Sequence, residues 1–308
     1  MLDRTDLLEK DTQNLHTKLL ELPGSYTGPQ TQMDAPYSGV AYGEASLALA
    51  LCEEWVTLEL GKTGTQFVLS SGLDFGEAQE FTDLSEIRGV NVKRVGLAAT
   101  LGDLSFMVAR GPLSTYTYAQ YLAHATGHGA DAVNADAALQ DLAQRCRIEI
   151  PTEDNPAKKL AWTLWTRTPL LLASRDYLAL TWGWQELLAR IGKSMSFALT
   201  HSPLLLLSGG FEARHETGDE RVAVLLGPMD AEMILAREIL GTRVDEALEV
   251  PFPDGLEGYA GQMYLWFLGA WTAFYLALAY GQDPADSPVL TALLESEELE
   301  VRDDLELN

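Results

Sequence analysis

The chain has 308 residues, 47% of them apolar, and carries 45 acidic against 21 basic side chains, a formal net charge of −24. That length fits two domains of ordinary size, and that apolar fraction fills a sizeable core, which excludes a disordered chain. A polyanion of this kind repels phosphate backbones and anionic lipid, so nucleic acid and acidic membranes are excluded as partners, and a site for an anionic ligand must gather its few cations, hydroxyls and backbone N–H groups locally.

Residues 2–22 read as an amphipathic helix, with Leu7, Leu8, Leu15, Leu19, Leu20 and Leu22 recurring near helical spacing. A loop rich in Gly, Pro, Thr and Gln follows over 23–37, and the stretch 38–46 leads into a helical run at 47–55. Residues 66–69 form a short apolar strand ending in Ser70-Ser71-Gly72. Strands are predicted at 94–99 and 104–109, and helices at 115–126 and 130–146. The polar segment 148–155, IEIPTEDN, is the best domain boundary, giving halves 1–147 and 148–308. A helix over 156–167 starts strongly, with Asn155 as N-cap and Pro156 at the first position. Then come a buried strand (169–174), a helix (178–193), strands at 204–208 and 221–226, and a helix capped by Asp230 that runs to 240. A last strand at 247–251, a long apolar helix and a helix near 288–298 complete the order. Strands alternating with helices imply parallel sheets covered on both faces. The tail from 295 on is acidic and expected to fray.

The stretch 263–281 is uncharged and about as long as a bilayer crossing requires. No Lys or Arg flanks it, and Glu257 and Asp283 carry the wrong sign for an anchor, so it reads as a helix buried on all sides, at the centre of a domain or against a second copy in a homodimer. The N-terminus shows no basic start followed by an apolar run, so a cytoplasmic protein is expected. Cys52 and Cys146 lie on apolar helix faces and read as buried free thiols. The five histidines are scattered. His124 and His128 share helical spacing, but Gly127 and Gly129 interrupt it, so no metal site is expected. Glycine-rich dinucleotide loops, Walker loops and serine-hydrolase elbows are all missing from the sequence.

The second half carries a resemblance. The stretches IPTEDNPAKKLA (150–161) and RTPLLLAS (167–174) resemble the linker, helix and first strand of the second sugar-isomerase (SIS) domain in bifunctional phosphoglucose/phosphomannose isomerases. Residues 184–193 resemble the following helix, and YLWFLG (264–269) with FYLALAYGQDP (274–284) resembles the closing helix and its Gly-x-Asp-Pro turn. Over 1–147 the likeness rests on element order and on weak loop similarity. The resemblance implies an α/β fold of two SIS-like, flavodoxin-like domains, each a parallel sheet flanked by helices, in a homodimer. It further implies isomerisation of glucose 6-phosphate or mannose 6-phosphate to fructose 6-phosphate by a ring-opening histidine and a glutamate base. No cofactor or metal is implied, and hydroxyl-rich loops at helix N-termini hold the phosphate.

Several positions depart from that pattern. The family's glutamate, in Asn-Glu-Asn-x-Lys, is replaced by Arg190 within Ala189-Arg190-Ile191-Gly192-Lys193, and an arginine stays protonated and cannot act as a base. His201 is the nearest match to the ring-opening histidine. The first phosphate loop reads Ser38, Gly39, Val40, Ala41, Tyr42, Gly43. The second reads Ser70, Ser71, Gly72, Leu73, Asp74, where Asp74 opposes phosphate. The family's Pro-Arg pair becomes Pro112-Leu113 with Arg110 nearby, and a C-terminal lysine falls near Glu295. The candidate site is therefore His201 for ring opening, with Ser38, Gly39, Gly43, Ser70, Ser71, Gly72, Arg110, Arg190 and Lys193 for the sugar phosphate. Three readings follow: an isomerase whose base has moved to Glu44, Glu77 or Glu212, a noncatalytic sugar-phosphate sensor, or a structural partner of an active relative. Weakened or absent isomerisation is expected.

Overall fold

A computed structural model describes residues 2–70, 75–96, 105–199 and 220–285, with 287 and 289. The expected strand at 204–208 and helix at 288–298, and the residues Ser71, Gly72, His201, Glu212 and Glu295, lie outside them.

The N-terminal leucines form a 3-10 turn and a separate helix α1 (Leu15–Glu21) rather than one helix over 2–22. The break falls at Asn14, which takes left-handed backbone angles (φ 55°). Asp11 turns the break into a cap: its carboxylate accepts from the Leu15 and His16 N–H groups at 2.7 and 2.8 Å. Next come β1 (Tyr37–Tyr42), α2 (Ala45–Leu51), β2 (Thr65–Ser70), α3 (Phe75–Ile87), β3 (Asn91–Gly96), β4 (Phe106–Met107), α4 (Ser114–Ala125) and α5 (Gly129–Arg145). The segment expected as a loop up to Tyr37 and a helix lead-in after it thus contains a strand, β1, in register with β2 from Tyr37↔Thr65 to Tyr42↔Ser70. In the second half α6 (Pro156–Leu164), β5 (Thr168–Ala173), α7 (Ala179–Arg190), β6 (Phe197–Ala198), β7 (Arg221–Leu226), α8 (Ala231–Leu240), β8 (Glu246–Val250) and α9 (Gly258–Ala279) follow. The Asn155 and Asp230 caps form as expected: Asn155 Oδ1 accepts from Ala157 N and Lys158 N, and Asp230 Oδ1 from Met233 N.

All strand pairs among the described residues are parallel, in two four-stranded sheets ordered β1-β2-β3-β4 and β6-β5-β7-β8. Strand alternation sends side chains to two layers. Phe67 and Leu69 of β2, with Leu171 and Ala173 of β5 and Val222, Val224 and Leu226 of β7, face one shared helical core. Val68 turns outward onto α3, and Leu172, Ala223 and Leu225 turn outward onto α8.

The shared core is built around α9. Every residue of that helix from Tyr259 to Ala279 is buried, packed by α5, α6 and α7 with α1 and α2 at its sides. Among the described residues no helix is long and apolar enough to cross a membrane. Because α9 is sheathed by its own chain, its lack of charge needs no second copy, and the expectation of a dimer contact through this helix is corrected. Gly269 lets Trp184 lie against α9, with the indole N–H donating to the Leu265 carbonyl at 2.9 Å. The link between halves is tied down from beneath. Lys158 is fully buried and donates to the carbonyls of Ile148 and Ile150, both at 2.8 Å, and to Asp3 at 3.3 Å. Asn155 Nδ2 donates to Arg147 O, and the Tyr275 hydroxyl to Cys146 O. Both cysteines are free and buried, as expected.

Candidate active site

The carboxyl ends of parallel strands are where open α/β sheets bind ligands. In the first sheet these ends meet the C-terminus of α7, which belongs to the second half of the chain. A cleft of about 650 Å³ opens there, lined by α1, the turn 109–113, the start of α4, Arg190 and residues 284, 285 and 287. The volume is that of a small-molecule site. Among the described residues it brings together Lys18, Arg110 and Arg190, with Ser114 and Thr117 in the first turn of α4 and one carboxylate, Glu21. In a chain of net charge −24 this is a local concentration of cations.

Arg190 organises the cleft wall. It closes α7, where Glu186 one turn earlier receives its Nη1 at 2.9 Å. Its Nη2 reaches across to Glu44, between β1 and α2, at 2.7 Å. Glu44 side-chain exposure is 10% and that of Arg190 is 20%, so water screens this pair weakly. The same Glu44 accepts from Gly111 N and Ser114 Oγ, each at 3.1 Å, which ties the α4 turn to α7. Gly43 allows the chain to turn from β1 into Glu44 by taking φ +57°. Burial pushes the Glu186 carboxyl above its ordinary range, against the opposing pull of Arg190. Among the described residues the buried Arg190 Nε meets no hydrogen-bond partner. Below this wall the Tyr118 hydroxyl donates to Ser70 O at 3.0 Å, and burial drives that phenol upward too.

Not all of the sequence-derived site converges here. Arg110 and Arg190 line the cleft, and Gly43 precedes the Glu44 anchor. Ser70 ends β2 beneath Tyr118. Lys193, at φ +57°, folds back so that its Nζ donates to the Arg190 carbonyl at 2.6 Å, and it caps α7 rather than lining the cleft. Ser38 and Gly39 must be reassigned. They sit inside β1, not in a loop: Ser38 donates to Gln66 Oε1 at 2.8 Å, and a Cβ on Gly39 would meet Leu49 and Val56 at 2.9 Å. The first loop begins only at Gly43. Glu77 is exposed on α3, away from the cleft. Sequence reasoning missed Lys18, Ser114 and Thr117. Two hydroxyls opening a helix after Gly-Pro were a usable signal for the last two, whereas Lys18 had none.

Two family descriptions match the chain: the phosphoglucose isomerase N-terminal domain over residues 15–127, and the bacterial phospho-glucose isomerase C-terminal SIS domain over residues 153–296. A solved structure, a glucose-6-phosphate isomerase like protein from Thermus thermophilus, is 37% identical and superposes with a TM-score of 0.83, covering 96% of this chain and 98% of that one. The chain belongs to the phosphoglucose isomerase family. More distant structures share the fold of this isomerase family. A glucose-6-phosphate isomerase from Chlamydia trachomatis has a TM-score of 0.59 at 10% identity, covering 98% of this chain and 76% of that one. A glucosamine-6-phosphate deaminase from Thermotoga maritima has a TM-score of 0.52 at 10% identity, covering 94% and 98%. No curated protein matches the sequence.

Proposed function

We propose that the Arg190 cleft binds a hexose phosphate and that the chain interconverts glucose 6-phosphate and fructose 6-phosphate very slowly or not at all. Binding is supported by Lys18, Arg110 and Arg190 around one cavity with the hydroxyls and N–H groups of the first turn of α4. The weak turnover rests on one observation: the position where the family resemblance places the base is an arginine held in an ion pair with Glu44. Proton transfer between C1 and C2 needs a positioned group that can lose its proton, and a guanidinium cannot. Removing such a base costs on the order of 10²–10⁴ in rate. Glu44 is a poor replacement, because its carboxylate is already engaged by the Arg190 guanidinium, the Gly111 N–H and the Ser114 hydroxyl.

A second reading is favoured by Glu186, which pairs with the cleft-lining Arg190 at 2.9 Å and which burial makes more basic. In it, Glu186 is the base and Arg190 steadies the enediolate. A coupled isomerase assay on the purified chain separates the two. The first reading expects turnover far below one per second, a thermal shift with hexose 6-phosphates, and activity gained in the Arg190→Glu/Glu44→Ser double variant. Wild-type turnover of several per second, abolished by Glu186→Gln, would establish the second. The same thermal-shift panel includes mannose 6-phosphate. We further propose that halves 1–147 and 148–308 act as two SIS-like units and that the chain is a homodimer. The exposed Leu58 and Trp182 beside edge strand β1 support the dimer, and a monomer mass by light scattering at micromolar concentration would refute it.

A further inference from the structure

The two halves repeat one arrangement. In each, a helix follows the first strand, α2 after β1 and α7 after β5, and α7 ends at the first sheet's ligand edge with Arg190. The chain just beyond α2, Glu54 and Trp55, ends correspondingly at the carboxyl edge of the second sheet. A second cavity of about 570 Å³ opens there. It lies where β5, β7 and β8 deliver Tyr177, Pro228 and Phe252, beside the point at which the strand order reverses around β5. Such a reversal is the usual place for a ligand in an open parallel sheet.

The lining is opposite in character to the first cleft. Trp55, Tyr177, Phe252 and Tyr259 supply aromatic wall, and Glu54, Asp131 and Glu257 supply carboxylates. No lysine or arginine is among the described residues that line it. The rings are organised: Trp55 stacks on His128 with centroids 4.1 Å apart and planes 5° apart, Tyr259 lies 5.0 Å from Trp55, and Tyr177 meets Phe252 edge-on at 5.1 Å. Asp131 holds His128 Nδ1 at 3.1 Å. Asp176 lies close enough to act on both Glu53 and Tyr177, extending the negative field around the mouth. The carboxylates are spread around the rim: among the described residues no three acidic, histidine or cysteine groups gather at metal-binding spacing. A dispersed negative rim over aromatic walls suits an extended organic cation better than a metal ion, because ring quadrupoles attract ammonium groups and the wall excludes water from the alkyl part.

We propose that this cavity binds an organic ammonium ion, at a site separate from the basic cleft. Isothermal titration of the full chain at fixed ionic strength tests it with three probes: choline, 1,4-diaminobutane, and 3,3-dimethyl-1-butanol, the uncharged isostere of choline. Saturable one-site binding of choline or the diamine is expected, with the isostere at least about tenfold weaker. Glu54→Gln/Glu257→Gln, at two exposed positions, should weaken the cation about fivefold or more and leave the thermal shift with hexose 6-phosphate unchanged. Trp55→Leu should weaken it about tenfold with the far-ultraviolet circular dichroism retained. The proposal is overturned if neither cation gives saturable heat, if the isostere binds as well as choline, or if the double glutamine variant binds the cation as the wild type does.

Discussion

Truncating Arg190 to alanine tests the cleft wall and its charge logic together. The side chain makes two ion pairs, to Glu44 at 2.7 Å and Glu186 at 2.9 Å. The first is nearly buried and falls between the roughly 0–1 kcal/mol of exposed pairs and the roughly 3–5 kcal/mol lost when a fully buried pair is broken. Glu44 keeps the Gly111 N–H and Ser114 hydroxyl as donors, which places its share at about 2 kcal/mol. The second pair is a helical i,i+4 contact with partial exposure, worth roughly 0.5 kcal/mol. The sum is about 2–3 kcal/mol, or a fall in melting temperature of roughly 3–5 °C for a chain of this length. The loss also depends on pH. Burial raises the folded-state Glu186 carboxyl while Arg190 pulls it down, so removing Arg190 raises it further. A carboxyl with a raised folded pKa costs stability above that pKa, and the cost disappears as pH falls to the unfolded value of about 4.3. The deficit of the variant should therefore be larger at pH 8 than at pH 5, measured by differential scanning calorimetry. The stabilisation by hexose 6-phosphate should disappear in the same variant, since a ligand at about a hundredfold its Kd otherwise adds about 2.7 kcal/mol. An unchanged melting temperature, or a deficit that grows toward acid, would refute the reasoning.

Three further outcomes are expected. Lys158→Met leaves the Ile148 and Ile150 carbonyls buried without their donor and should cost about 3 kcal/mol in urea unfolding with an unchanged m-value. Gly269→Ala puts a methyl 2.8 Å from the Trp184 indole nitrogen, so an overpacking loss of about 1–3 kcal/mol should show as a lowered midpoint and a shifted tryptophan emission. Burial pushes the Cys146 thiol up to about 12 and the Cys52 thiol upward as well, so neither should react with a disulfide reagent at pH 8 until the chain is unfolded, when both should titrate.

The parts of the fold legible in the sequence are those in which local signals and burial agree. Asn155-Pro156 and Asp230 start helices by side-chain capping, and caps are written within three or four residues. The runs in β5 and β7 are apolar on both faces because both faces are covered, and α9 is apolar all round because it is surrounded. Strand β1 was hidden for the opposite reason. Its YSGVAY segment includes a glycine and two tyrosines and sits at a sheet edge, with β2 on one side and only the single bridge of Ser38 to Thr57 on the other. Helix α3 escaped notice because Leu84 and Ile87 are exposed on it, which blurs the apolar stripe that marks a helix. The N-terminal leucine periodicity runs through Asp11–Asn14, and only the Asp11 carboxylate capping α1 shows why the helix breaks there.

The site was legible residue by residue and illegible as a unit. Arg190 stood out as a lost base, and Glu44 as one of three spare carboxylates, but 146 positions separate them, and no local pattern couples them. The structure makes them a single feature. An arginine at the end of α7 beside Glu186 alone would leave much of its charge in a weakly solvated wall, and Glu44 supplies the missing counter-ion. Conversely, Glu44 without Arg190 would leave a carboxylate beside Glu186 with no counter-ion on α7. Each residue is therefore tolerable mainly in the presence of the other, and the two are one structural feature. The same pair ties the Gly111–Ser114 turn to α7, on the side of the cleft that carries Arg110 and Arg190. Under the proposed function, anion binding without proton transfer follows from this one ion pair, which is why its test changes Arg190 and Glu44 together.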